Sequence, residues 1–318
     1  MADTSRTDTP DPAAPTQLVQ ANSATRALNI LGDRWTLMIL YLAFQRVRRF
    51  DEFQSRIGLA RSLLIDRLRR MVAAGILRKE RYLERPLREE YRLTKMGLDL
   101  HSLALMIIRW EKRWFFDPAN PAHRIRHSCG KEFSPEFRCG HCGELVSPRD
   151  VYAVEGPGAA FEPSPPPRAQ RRSIVPSGSL NNGDPMLDRA FQVLGDRWTS
   201  HVIASAFLGR RRFNDFQNAL GVAPNILSDR LSRLTEMGVL RRELYQERPE
   251  RWEYRLTDAG RDLYPLIAEL NRWGDRWLAT EAGPPLITHH RPCNHVLEPR
   301  ITCDQCHEPV TAFNVTMG

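Results

Sequence analysis

The sequence predicts a mainly α chain with small β-hairpins, an α+β class, made from one unit used twice. Three observations carry this. Gly32-Asp33-Arg34-Trp35-Thr36 returns as Gly195-Asp196-Arg197-Trp198-Thr199, a shift of 163 positions that continues without insertion to Trp110 and Trp114 against Trp273 and Trp277. Within each copy the apolar residues recur at helical spacing. That spacing gives way once per copy, at 76–93 and 239–256, to two short strand-like runs around a turn.

The length of 318 residues fits two ordinary domains with additional segments, and a 42% hydrophobic content suffices for real cores. A net charge of +8 favours an anionic partner. No run of about 18 apolar residues predicts a membrane span. The polar, Pro-containing start, Met1 to Pro15, has no apolar h-region and reads as a tail rather than a signal peptide. Six cysteines fall in two matched sets of three. An odd number per unit is a poor disulfide framework, so a reduced, cytoplasmic setting is expected.

The expected division is a disordered tail at 1–17, copy one at 18–117, a Cys-rich segment at 118–155, a linker at 156–184, copy two at 185–281 and a second Cys-rich segment at 282–318. The linker reading rests on Pro165-Pro166-Pro167, Asn181-Asn182-Gly183 and the lack of apolar periodicity.

Each element has a local reason. Residues 24–31 form a short helix, and 35–44, crowded with Trp, Leu, Met and Ile, a buried one. A third helix is expected to begin at Asp51, capped by Asp51 with Gln54, and by Asn214 with Gln217 in copy two. Gly58 and Gly221 end it in a tight turn. The next helix covers 61–74 and 224–237, with Pro224 at a first helical position and Gly75 and Gly238 as C-terminal stops. Strands 76–82 and 90–93, and 239–245 and 252–256, follow. A long amphipathic helix then runs from Thr94, or Thr257, to the Trp pair. This order is that of two winged helix-turn-helix domains, in which the helices around Gly58 and Gly221 are the motif and the hairpins the wings.

In the second motif helix, Leu64, Leu68 and Met71, and Leu227, Leu231 and Leu234, form the buried stripe. The opposite face offers Arg61, Ser62, Ile65, Asp66 and Arg69 in copy one, and Asn225, Ser228, Asp229 and Ser232 in copy two. Short polar side chains and Arg near a helix N-terminus suit base edges and phosphates in a major groove. Arg85 and Arg88 with Arg248 and Arg251 offer wing contacts, and Arg48, Arg49, Arg211 and Arg212 a backbone clamp. The bland alternatives are a solvated helix face and a solvated hairpin tip. Arg67 and Arg230 lie beside the buried stripe, where an intramolecular pair competes with a DNA contact. Trp35 and Trp198 are expected in the core, and the terminal Trp pairs either in the core or at a helix–helix interface.

Gly-Asp-Arg-Trp-Thr, Arg-Arg-Phe with Phe-Gln, Ser-Asp-Arg-Leu, Gly-Val-Leu, Tyr-Gln-Glu-Arg-Pro and Glu-Tyr-Arg-Leu-Thr together resemble the HxlR family of winged helix-turn-helix regulators. Copy two carries the pattern nearly verbatim from Asp196 to Gly260, and copy one has Ile65 where copy two has Ser228. The resemblance implies a DNA-binding transcriptional regulator of a kind that dimerises through its terminal helices, here with two protomer-like units fused. Many members carry a Cys at the start of the first helix, and some use it to sense oxidants or electrophiles. The matching positions, Asn22 and about Pro185, cannot form a thiolate.

The Cys segments repeat one arrangement: Cys129 then Cys139-x2-Cys142, and Cys293 then Cys303-x2-Cys306. A Cys-x2-Cys knuckle places two thiolates on one metal, and a structural zinc in each segment, about two per chain, is the expectation. His127 and His290 are the fourth ligands proposed, completing Cys3His, with His141 and His307 as rivals. Free thiols or a redox pair are the alternatives.

The leading functional expectation is thus a regulator of double-stranded DNA whose two copies form an intrachain pseudo-dimer, or a homodimer, reading two unequal half-sites. A protein-binding adaptor on the same scaffold is the alternative. No phosphate loop and no nucleophile–base constellation supports an enzyme, and nothing in the chain names an effector.

Overall fold

The computed structural model describes residues 23–85, 88–115, 124–159 and 187–317. The expected tail and most of the expected linker lie outside them. Copy one contains α1 (Ser23–Leu31), α2 (Arg34–Phe44), α3 (Phe50–Ile57), α4 (Arg61–Ala73), β1 (Leu77–Leu83), β2 (Arg88–Leu93), α5 (Lys95–Leu98) and α6 (His101–Phe115). Its Cys segment adds β3 (Ile125–His127), β4 (Pro135–Cys139) and β5 (Val151–Glu155). Copy two repeats the order as α7 (Asp188–Leu194), α8 (Arg197–Phe207), α9 (Phe213–Leu220), α10 (Pro224–Glu236), β6 (Leu240–Gln246), β7 (Arg251–Leu256), α11 (Asp258–Arg261) and α12 (Tyr264–Trp277). β8 (Leu286–His290), β9 (His295–Val296), β10 (Pro299–Cys303) and β11 (Val315–Met317) close the chain.

The local signals act as their chemistry requires. Asp33 and Asp196 cap α2 and α8, each accepting from a backbone N–H of the first turn. Gly58 and Gly221 end α3 and α9 in the left-handed region, at φ 69° and 60°. Leu64, Leu68 and Met71, with Leu227, Leu231 and Leu234, are buried beneath α4 and α10.

Two local expectations are corrected. Asp51 and Asn214 do not cap α3 and α9. These helices begin one residue earlier, at Phe50 and Phe213, and the capping carboxylates are Glu52 and Asp215, which accept from the N–H groups of Arg49 (3.4 Å) and Arg212 (3.2 Å). An acid three residues into the helix can reach back to the exposed N-cap N–H, and it neighbours the positive helix end. The expected single helix after each wing is broken in two, α5 from α6 and α11 from α12. Gly97 and Gly260 lie so close to the preceding hairpin that an added Cβ would stand 2.3 Å from the Ile76 carbonyl and 2.1 Å from that of Val239. The short helix is thereby pinned to the wing base, and the chain turns at Asp99 and Asp262 before the long helix starts.

The copies pack on each other as equivalents. α1 lies against α12, close enough that a Cβ on Gly274 would meet the Ser23 carbonyl at 2.3 Å. Trp110 and Trp273 are fully buried, and their indole N–H groups cross to the other copy, onto Ala259 O (2.8 Å) and Met96 O (3.0 Å). Trp114 donates to Asp262 and Trp277 to Asp99, each at 2.8 Å. Arg109 pairs with Asp262 at 2.9 Å, and Arg272 with Asp99 at 3.1 Å. Each of these Trp and Arg contacts has its counterpart 163 positions on, the pattern of an isologous dimer interface within one chain. Asp99 and Asp262, at the helix breaks, are its shared acceptors. Trp35 and Trp198, expected in the core, are only partly buried at its edge.

The Cys segments do not fold as separate appendages. β3, β4 and β5 of the first pair antiparallel with β11, β10 and β8 of the second. In the β4–β10 ladder Phe137 faces Ile301, and Cys139 and Cys303 sit at opposite ends.

Candidate nucleic-acid interface and metal centres

The candidate reading faces are built on α4 and α10. Arg61, Ser62, Ile65 and Arg69 are exposed on α4, and Asn225, Ser228 and Ser232 on α10. Ile65 is 47% exposed at the centre of its face, which no packing requirement explains. Arg61 lies over the Phe50 ring at 4.7 Å, so its guanidinium is held at the N-terminus of α4 without an acidic partner among the described residues. Asp66 takes three guanidinium groups, from Arg67 (2.7 Å), Arg69 (3.0 Å) and Arg70 (2.9 Å). Burial raises its pKa, but those Arg neighbours outweigh it and the carboxyl sits below its usual range. The face of α4 therefore stays positive. On α10, Asp229 meets Arg230 and, at 3.9 Å, Arg233, and no comparable surplus remains.

Arg67 and Arg230 belong to the fold rather than to this face. Arg67 Nε reaches Asp33 at 3.1 Å, and Arg230 grips Asp196 through two bonds of 2.9 and 2.7 Å. Each ties the reading helix to the cap of α2 or α8. Burial pushes the Asp196 carboxyl up, but the Arg230 hydrogen bonds outweigh it and hold the group below its ordinary range.

The wings are braced by the residues before α3 and α9. The carbonyls of Arg48 and Arg211 accept from Tyr91 N (2.8 Å) and Tyr254 N (2.7 Å), while Arg49 and Arg212 lie over Tyr82 (4.9 Å) and Tyr245 (4.5 Å). Arg85, Arg88, Arg248 and Arg251 are exposed around the hairpin ends. Residues 86–87 of the first wing lie outside the described set, and the Arg248–Pro249 peptide of the second is cis.

The eight expected metal ligands come together as two groups of four, but not in the expected partition. His127 and Cys129 of copy one join Cys303 and Cys306 of copy two, and Cys139 and Cys142 join His290 and Cys293, with the ligand atoms of each group within 4.8 Å of one another. The expectation of one ligand group per segment is thus replaced by two groups shared between the copies. The cause is the strand exchange: β3 lies on β11 and β4 on β10, so each knuckle faces the His–Cys loop of the other copy. The rivals are not in these groups. His141 stacks on His295 at 3.3 Å, where both approach Cys293, and His307 is exposed near Glu136.

The spacings suit a small tetrahedral ion. Cys139 Sγ and Cys293 Sγ are 3.9 Å apart, and His290 Nδ1 lies 3.4 Å from both Cys142 Sγ and Cys293 Sγ. His127 Nδ1 is 3.3 Å from Cys306 Sγ. Bond lengths of about 2.3 Å to sulfur and 2.0–2.1 Å to nitrogen in a tetrahedron give edges of about 3.8 Å for S–S and 3.6 Å for S–N. Both imidazoles are buried. The Lys131 backbone N–H, with His127, holds the Cys129 thiol down at about 7. Burial pushes Cys139 up, but the N–H groups of Cys142 and His141 win and lower it. Backbone donors point at both of these sulfurs, while burial pushes the Cys303 thiol up. Sequence reasoning named the ligands and missed their pairing, because equal spacing in both copies makes the two partitions alike on paper.

A cavity of about 780 Å³ lies where α6 and the β4 region of copy one meet α11 of copy two, with Arg109, Phe137, Arg149 and Asp262 in its wall. Among the described residues no helix is long and apolar enough to cross a membrane.

The repeated unit has relatives among known proteins. An uncharacterised HTH-type transcriptional regulator of Mycobacterium tuberculosis, Rv3095, is 44% identical over 128 residues, covering 40% of this chain and 81% of that protein. An uncharacterised HTH-type transcriptional regulator of Bacillus subtilis, YvaP, is 34% identical over 95 residues, covering 30% of this chain and 88% of that protein. Among solved structures, the diamide-treated YodB from Bacillus subtilis matches with 28% identity and a TM-score of 0.26, over 29% of this chain and 93% of that one. The HxlR-like helix-turn-helix family model matches twice, at residues 30–118 and 193–282. Together these matches span more than half the sequence, and the chain belongs to the HxlR-like helix-turn-helix family, with two copies of the family's domain in tandem.

Proposed function

We infer that this chain is a DNA-binding transcriptional regulator that supplies both reading units of a dimer by itself. The observation that carries this is the isologous Trp–Asp–Arg interface, which joins two complete winged helix-turn-helix units while leaving the outer faces of α4 and α10 exposed. Arg61, Ser62, Ile65 and Arg69 read one half-site, and Asn225, Ser228 and Ser232 the other. Arg85, Arg88, Arg248 and Arg251 on the wings, with Arg48, Arg49, Arg211 and Arg212, contact the phosphate backbone. Because the two faces differ in charge and in the Ile65/Ser228 position, the operator is asymmetric. The two Cys3His groups each hold a zinc ion. Four protein ligands leave no open position for a substrate, so the metal is structural.

Fluorescence anisotropy with duplex from upstream of the chain's own gene tests the reading. Saturable binding that resists competitor DNA is expected. Indifference to sequence at every salt concentration contradicts it. Selection from random duplexes should return unlike half-sites, and a perfect palindrome argues against unequal reading.

A further inference from the structure

We propose that the two metal groups are clasps that join the copies to each other, so that metal loading sets how firmly the two reading units are held in register. The DNA part of this rests on the regulator reading above; the clasp itself does not.

The clasps follow from the ladders. Each site takes a His–Cys pair from one copy and a Cys-x2-Cys knuckle from the other. The contact between the segments is close: Gly140 N donates to the Glu298 carbonyl at 2.7 Å, and a Cβ added at Gly140 would stand 2.9 Å from that oxygen. Gly156 and Gly158 approach residues 283–285 in the same way. Yet the two-stranded ladders beside the metal groups are short. β3–β11 has three paired positions and β4–β10 has five. Two-stranded ladders of that length are marginal by themselves. The buried imidazoles of His127 and His290 turn Nδ1 toward thiols of the other copy. Side chains arranged at such cost in desolvation, and converging on one point, are explained by an ion at that point.

The clasps also bear on the reading units. β4 packs against α6 and β10 against α12, the long helices that carry the wings through α5 and α11. The helix interface holds the copies together, and the clasped segments brace its two long helices from the far end. With the metal removed, the Trp interface still associates the copies but the brace is lost. Simultaneous engagement of two half-sites then loses part of its effective concentration.

Partial loading of the wild-type chain separates the clasp from a site within each segment. Metal-free protein is given less than one equivalent of zinc, and unprotected thiols are alkylated and mapped by mass spectrometry. The clasp predicts co-protection of Cys139 and Cys142 with Cys293, and of Cys303 and Cys306 with Cys129. Co-protection of Cys129 with Cys139 and Cys142 overturns it, as does a chain that takes up no zinc. Two double variants give a second reading in the whole chain. Cys129→Ser with Cys139→Ser damages both clasps, whereas Cys139→Ser with Cys293→Ser damages one and leaves one zinc bound; the reverse pattern refutes the proposal. Anisotropy of stripped and reloaded protein then reads the coupling. Stripping is expected to weaken binding to paired half-sites about tenfold and to change binding to a single half-site less than twofold. Equal weakening on both, or none on either, overturns the coupling while leaving the ligand grouping intact. Absence of any DNA binding in zinc-loaded protein counts against the regulator reading, not against the clasp.

Discussion

Arg61→Ala with Arg69→Ala removes two exposed charges from the face of α4. The Arg69 side chain is 77% exposed, and it shares Asp66 with Arg67 and Arg70, so its charge is in surplus there. Arg61 is exposed over Phe50. If both meet phosphates, each contributes about 0.9 to the slope of log affinity against log salt, and the pair about 1.8. Across a fourfold rise in salt, from about 50 to 200 mM, the wild type should therefore lose about 12-fold more affinity than the variant. Asn225→Ala with Ser232→Ala alters the exposed face of α10, at the counterparts of Ser62 and Arg69, without touching charge, so its slope should match the wild type. Anisotropy titrations at four salt concentrations, on one duplex, give all three slopes. Equal slopes for the two double variants, or no slope change in the first, refute the assignment of phosphate contacts to α4.

Three further outcomes are expected. Trp110→Ala should cost about 3–5 kcal/mol, since a fully buried indole and its bond to Ala259 O are lost, whereas Trp114→Phe should cost about 1 kcal/mol because Asp262 keeps Arg109; denaturant melts that rank them the other way contradict the interface. Asp196→Ala should cost about 2–4 kcal/mol by removing a helix cap and stranding the half-buried Arg230, and adding Arg230→Met should restore part of it; a double variant less stable than the single one argues against the pair. Burial lowers the His101 imidazole to about 4 from 6.5, so the folded chain keeps it neutral where the unfolded chain protonates. Stability should then fall as pH drops through that window, by about 2 kcal/mol between about pH 7 and 5, and His101→Phe should remove this component. Identical pH profiles for variant and wild type exclude it.

The parts of the fold legible in the sequence are those with local causes. Gly58, Gly75, Gly221 and Gly238 mark helix ends because the left-handed turns there are closed by backbone alone. Leu64, Leu68 and Met71 mark a buried stripe because three- and four-residue steps fall on one side of α4. The α3 caps were misplaced because Asp51 and Glu52 are both capping residues by type, and only the seating of Phe50 as the first helical residue selects Glu52. The break after α5 was missed because Gly97 reads as an ordinary helical glycine until the hairpin carbonyl lies beside it.

By itself, then, the sequence determined the doubled winged unit, the surplus charge on the first reading helix and the identity of eight metal-ligand candidates, since repeats, periodicity, charge and donor chemistry are all properties of neighbouring residues. Tertiary structure alone decided that Trp110 and Trp273 cross between copies onto the Ala259 and Met96 carbonyls, that Asp262 and Asp99 receive Trp114 and Trp277, and that each Cys-x2-Cys knuckle faces the histidine of the opposite copy. These are pairings between residues about 150–180 positions apart. Two equal sets of ligands can be grouped within copies or between them at the same spacing, and it is the antiparallel pairing of β3 with β11, β4 with β10 and β5 with β8 that selects the second grouping.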